Sequence, residues 1–215
     1  MTEIIYPVWR QRLVNSLQVN RSQVHAKYYQ VSSVCPNGLP KNRTMVFRGF
    51  LPGTQNFLSV TDLRSEKIEG WQGPGNSHFE TCWYFSDSRE QFRLAGEVAL
   101  ISNVLNLRCG DQVLGQQTKE NLLKQQWLNL STHAREPFYS NSPKAPFDED
   151  SIIPTPQYGL VNQGNITDNQ CEISDNFCVV VFIPYIVDYL NLKSKPQKRC
   201  IYDIQDDWTE QLVNP

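Results

Sequence analysis

The sequence predicts a mainly β domain, an antiparallel sheet closed into a barrel, with helices inserted between the strands. Short runs rich in aromatic and β-branched residues are bounded by turn signals, and the first three follow one another in meander order. The regular helix–strand alternation of a parallel sheet is absent, and about seven antiparallel strands avoid open edges best by closing on themselves.

Trp9, Leu13 and Leu17 recur every four residues among polar neighbours, so residues 5–18 read as an amphipathic helix. Tyr28 to Val34 reads as a strand, ended by Cys35-Pro36-Asn37-Gly38, whose Asn-Gly pair offers the positive φ angles of a tight hairpin. Arg43 to Phe50 and Asn56 to Thr61 follow as strands, separated by the turn Leu51-Pro52-Gly53-Thr54. Leu63 to Trp71 reads as a short helix, stopped by Gly70 and the Gly73-Pro74-Gly75 break. His78 to Phe85 and Glu90 to Ile101 are strands joined by Ser86-Asp87-Ser88-Arg89. Thr118 to Leu130 is a helix with Leu122, Leu123, Trp127 and Leu130 on one face. Phe177 to Ile183 and Lys198 to Ile204 close the chain as strands, with Val187-Asp188-Tyr189-Leu190 between them. The expected organisation is one domain over 1–215: an N-terminal helix, a helical insert at about 118–138 and a long loop at about 140–170.

At 215 residues the chain is long enough to bury a core without disulfides. Its net charge of −2, well mixed, favours neither nucleic acid nor an anionic membrane as partner. No signal-peptide pattern opens the sequence and no apolar run approaches the length of a membrane span, so a cytoplasmic location is expected. Six scattered cysteines without a C-x-x-C pair are expected as free thiols there. The Asn-x-Ser/Thr triplets at Asn20, Asn42, Asn129 and Asn165 then have no glycan to carry. No metal site is expected: His78-Phe79-Glu80 begins like a zinc deaminase signature, but no Pro-Cys-x-x-Cys follows.

Arg43 and Arg48 flank one strand at an odd offset and so are expected on opposite faces, as edge arginines or with one aimed at a ligand. Thr61-Asp62-Leu63-Arg64-Ser65-Glu66-Lys67 sits at a strand-to-helix junction. It fits a capped surface helix, and equally an anion site to which Ser65 and Lys67 add a hydroxyl and a cation. Gln91 heads a strand and either lines the rim or hydrogen-bonds a heterocyclic edge. The apolar Trp83-Tyr84-Phe85 fits either a subunit surface or the barrel's own core. No catalytic nucleophile, acid or base stands out, because none of the three histidines lies in a recognisable motif.

Taken together, "RTMVFRGF", "LSVTDLRSEK", "HFETCWYFSDSREQFRLAG", "QQWLNLSTHAREPF" and the tail from "VDYLNLK" to "KRCIYDIQDDWTEQLVNP" resemble the pyridoxamine 5′-phosphate oxidase-like flavoproteins. The resemblance runs from Trp9 to Pro215 and implies a split β-barrel of Greek-key type that binds FMN. It implies Arg43 on the FMN phosphate, Met45 and Val46 along the flavin ring through their backbone, and Arg48 ending that strand. It implies Thr61, Ser65 and Lys67 at the phosphate grip, Gln91 at the polar edge of the flavin, and Arg199 reaching the flavin of a partner subunit. An arginine of the family's grip is replaced by Glu66, with Arg64 close by to substitute. Leu190 stands where the oxidases carry tryptophan, and their Arg-x-His substrate motif is absent between Lys193 and Lys198.

The resemblance therefore implies a homodimer with FMN at the subunit interface, acting as an oxidoreductase on a small molecule the sequence does not identify. The alternatives are a non-catalytic flavin- or haem-binding storage or sensor protein, and an authentic pyridoxamine 5′-phosphate oxidase.

Overall fold

The structure, a computed structural model, describes residues 5–73, 77–107, 111–115, 117–147 and 172–215. Part of the Gly73-Pro74-Gly75 break, most of the 140–170 loop, Asn165, Cys109 and Cys171 lie outside the described residues. In chain order the first elements are α1 (Val8–Val19), β1 (Tyr28–Val34), β2 (Pro40–Val46), β3 (Phe57–Asp62), α2 (Glu66–Gln72), β4 (His78–Phe85) and β5 (Glu90–Ile101). There follow β6 (Asn106–Leu107), α3 (Asp111–Leu114), α4 (Lys119–Leu128), α5 (Thr132–Arg135), β7 (Phe177–Asn191), β8 (Lys198–Asp203) and β9 (Gln211–Val213).

All pairings are antiparallel, in the order β2-β1-β4-β5-β7-β8-β9, with β3 also on β7. The second strand stops earlier than the expected Arg43–Phe50, because the chain there changes partner. Phe47 N still donates to Lys27 O, but Arg48 N donates to Leu58 O, Leu58 N to Gly49 O, and Phe50 bridges Phe57. This crossing from β1 to β3 closes the ring β2-β1-β4-β5-β7-β3. The β1–β2 loop turns at Gly38 alone (φ +80°), because it runs from Cys35 to Leu39 and does not need the two-residue turn that Asn37-Gly38 suggested.

Strand β7 is one 15-residue strand, where the sequence suggested an end at Ile183. Its first half carries β3 and its second half β8, while β5 runs along its other edge throughout. The hand-over comes at Pro184-Tyr185, where the register slips between Ala95↔Ile186 and Gly96↔Pro184. Gly96 is required by this contact: a Cβ there would stand 2.0 Å from Ile183 O.

Two apolar layers result. Tyr29, Val31, Phe57, Phe79, Trp83, Phe92, Leu94, Val180 and Phe182 fill the barrel, with Trp9 and Leu13 of α1 and Ile68 and Trp71 of α2 in the same cluster. Outside it, Leu122, Leu123 and Trp127 of α4, with Phe138, pack on Leu58, Ile101, Phe177, Val179 and Val181. The start of β7 is thus buried on both faces, which explains its unbroken apolar run. Trp83 and Phe85 are buried in the barrel core and only Tyr84 of that triplet is exposed, because alternate residues of β4 face inward. Cys35, Cys82, Cys178 and Cys200 are free thiols. Among the described residues no helix is long and apolar enough to cross a membrane, and no group of metal-binding side chains assembles.

Candidate functional site

The ring closes only over a short stretch between β2 and β3, and Ser59 Oγ donating to Val46 O (2.6 Å) marks its end. Past that point β2 continues to Arg43 and β3 to Thr61 without pairing to each other, and the turn into α2 fills the split. Lys67 Nζ donates there to Thr61 Oγ1 (2.8 Å) and Ser65 Oγ (2.9 Å), and Ser65 Oγ donates to Asp62 O (2.7 Å). From the β2 side, Arg43 Nη1 donates to Ser33 Oγ (2.8 Å), Val31 O (3.3 Å) and Lys41 O (3.2 Å).

These groups share one electrostatic environment. Burial, then the Arg43 guanidinium, push the Lys67 ammonium down to about 8, against smaller raising effects from Asp62 and Cys178. Burial lowers the pKa of Arg43 too, while Cys35 and Glu66 oppose it. Asp62, the carboxylate that acts on Lys67, is already taken: Arg64 Nε and Nη2 grip its two oxygens at 3.0 and 2.6 Å. Two partly buried cations facing each other beside hydroxyls form a corner that a dianionic oxyanion would relieve. A phosphate monoester fits this donor set, so the residues present suit the phosphate end of FMN.

The other expected site residues divide into distinct places. Met45 is buried in the barrel core, so only its backbone is available to a ligand. Val46 offers a carbonyl that already accepts from Ser59. Arg48 has left the strand, which removes the odd-offset argument made for it, and its Nε is buried without a hydrogen-bond partner. Arg64 does not join the corner, because Asp62 and the carbonyls of Pro137 (3.2 Å) and Ser140 (2.8 Å) hold it. Glu66 is matched by Lys41 (3.4 Å) and by Lys144, and these two, Lys144 foremost, hold its carboxyl below the usual range. Gln91 and Arg199 lie on the outer wall, in one register row across Leu190, and Arg199 pairs with Asp188 (2.6 Å). Sequence reasoning missed Ser33, Lys41 and Lys144. A hydroxyl at an inward position of β1 was the available signal for Ser33; nothing local marks the two lysines.

Comparison with known proteins identifies the fold and the cofactor. A family model described as "Pyridoxamine 5′-phosphate oxidase, FMN-binding domain" matches residues 6–102. The chain is 31% identical over 213 residues to "Pyridoxine/pyridoxamine 5′-phosphate oxidase 2" of Arabidopsis thaliana, covering 96% of each. It superposes with a TM-score of 0.80 and 35% identity on a pyridoxamine 5′-phosphate oxidase-related, FMN-binding protein of Nostoc punctiforme, covering 98% of this chain and 100% of that one. PhzG of Burkholderia lata, at 13% identity and a TM-score of 0.66 over 95% of this chain and 90% of that one, shares the fold. The match along nearly the whole length and the split barrel lead to one conclusion: the chain belongs to the pyridoxamine 5′-phosphate oxidase family, whose cofactor is FMN.

Proposed function

We propose that the protein is an FMN-dependent oxidoreductase acting on a small molecule, with Arg43, Thr61, Ser65 and Lys67 holding the FMN phosphate. The observation that carries this is the half-buried, hydroxyl-lined pair of cations at the barrel split. The backbone of Met45 and Val46 on edge strand β2 would lie along the ring, with Arg48 beside it. When bound, FMN supplies a two-electron acceptor for hydride; this chain's residues anchor its phosphate and orient its ring.

Homodimerisation belongs to the same proposal, with Gln91 and Arg199 completing the site across the interface. Its support is the uncovered outer wall, where exposed Tyr28, Tyr84 and Ile186 surround the alternating charges Glu80, Arg93, Asp188 and Arg199. Such a wall can meet its own copy about a twofold axis. A cytoplasmic location is part of the same reading.

The substrate class is suggested by the name of the Arabidopsis relative, a pyridoxine/pyridoxamine 5′-phosphate oxidase. The visible spectrum of the purified protein should show oxidised flavin. Pyridoxamine 5′-phosphate with oxygen should then yield one peroxide per substrate oxidised. Flavin bound without any peroxide would restrict the protein to another substrate or to flavin binding alone. Ile186→Glu should shift the protein to a monomer in light scattering, and an unchanged mass would remove that wall from the interface.

A further inference from the structure

The rim of the phosphate corner is built by a carboxylate. Glu66, next to Ser65 and Lys67 in the chain, binds Lys41 of β2 (3.4 Å) and Lys144 of segment 140–147. Its charge reaches the corner directly, since Glu66 raises the pKa of Arg43. The 140–147 segment is held beside the corner from two points: Arg64 donates to Pro137 O and Ser140 O, and Glu66 holds Lys144. Glu66 with Lys41 alone is a neutral pair. Lys144 makes the rim positive.

We propose that Lys144, positioned by Glu66, is a determinant of selectivity for the phosphorylated over the unphosphorylated flavin, acting on the ligand's phosphate from the segment that follows the helical insert. This rests on the assignment of Arg43, Thr61, Ser65 and Lys67 to the phosphate. Lys144 is mostly exposed, so its contribution is a screened, longer-range attraction rather than a buried contact.

The experiment is titration of the full-length apoprotein with FMN and with riboflavin, followed by flavin fluorescence at low ionic strength. Lys144→Ala should weaken FMN about threefold and Lys144→Glu about tenfold, with riboflavin unchanged and the differences gone at about 0.5 M salt. In a Glu66→Ala background, Lys144→Ala should lose most of its effect, because nothing then holds the lysine at the rim. Unchanged FMN affinity in Lys144→Glu overturns the proposal. Equal weakening of FMN and riboflavin also overturns it, since the segment would then be acting as structure alone. Lys67→Ala is the control: if it leaves FMN binding intact, the phosphate assignment itself fails, whereas a loss there with none in Lys144→Glu removes only the role of Lys144.

Discussion

Burial and the facing Arg43 guanidinium hold the Lys67 ammonium at about 8, well under the ordinary lysine value of 10.5. The unfolded chain keeps that proton up to about 10.5, so this group adds stability to the free protein as pH rises from about 8 to 10.5. A bound phosphate dianion reverses the preference by favouring the ammonium form. FMN affinity should therefore fall as pH rises through about 8, and also fall below about 6, where the phosphate takes up a proton. Lys67→Met should lose the alkaline limb and bind FMN at least about tenfold more weakly at neutral pH, with riboflavin little affected. Fluorescence titrations from about pH 5 to 10 test this. An alkaline limb that survives in Lys67→Met would assign it to another group.

Gly96 should tolerate no side chain. The added Cβ of Gly96→Ala meets Ile183 O at 2.0 Å and Pro184 Cα at 2.8 Å, both backbone atoms that cannot rotate away. The clash falls at the bulge where β7 passes from β3 to β8, so relief requires both ladders to shift. A loss of about 3 kcal/mol is expected, lowering the melting temperature by roughly 10 °C. A change of only about 1 °C would mean that the bulge relaxes freely.

Arg64 should matter to the insert more than to the cofactor. Its guanidinium bridges the Asp62 carboxylate to the carbonyls of Pro137 and Ser140. Arg64→Ala should raise hydrogen exchange and proteolysis over 136–147, while FMN affinity falls by no more than about threefold, far less than for Lys67→Met. A loss as large as that of Lys67→Met would place Arg64 on the phosphate after all.

The contrast between Lys67 and Arg64 shows what was legible in the sequence. Thr61, Ser65 and Lys67 are neighbours in the chain, so one turn gathers them, and their hydroxyl and ammonium groups suit an anion site as well as a capped helix start. Arg64 sits among them but chooses Asp62 and the insert, and that choice depends on where residues 137–140 dock. β1 and β4 were legible as strands, but their inward faces were not: Trp83 and Phe85 fitted a subunit surface as well as the core, and packing places both inward with Tyr29 and Val31. The continuity of β7 was hidden because Pro184 and Asp188 interrupt its apolar pattern, and the bulge that absorbs the proline is a tertiary event. Lys144 lay beyond local reasoning: its partner Glu66 is 78 residues away.

The last prediction concerns the C-terminal segment, which Glu210 fastens to the barrel. Its carboxylate takes Arg12 of α1 at 2.7 Å, Lys198 at 2.9 Å and the hydroxyl of Tyr202 at 2.7 Å. Partial burial would raise its pKa, but Lys198, Tyr202 and Arg12 outweigh it and hold the group at about 2. A carboxyl depressed from 4.5 contributes stability that is fully present above about 4.5 and disappears as pH falls through about 2. Trp208, packed at a tilt against Trp9 with ring centroids 5.5 Å apart and a left-handed backbone (φ 58°), depends on the same anchor to stay in place. Glu210→Gln should lower stability by about 1–2 kcal/mol at pH 7, and thermal unfolding should show the gap closing between about pH 4.5 and 2. A gap that stays constant down to about pH 2 would mean that the lost stability came from packing of the segment and owed nothing to the charge of Glu210.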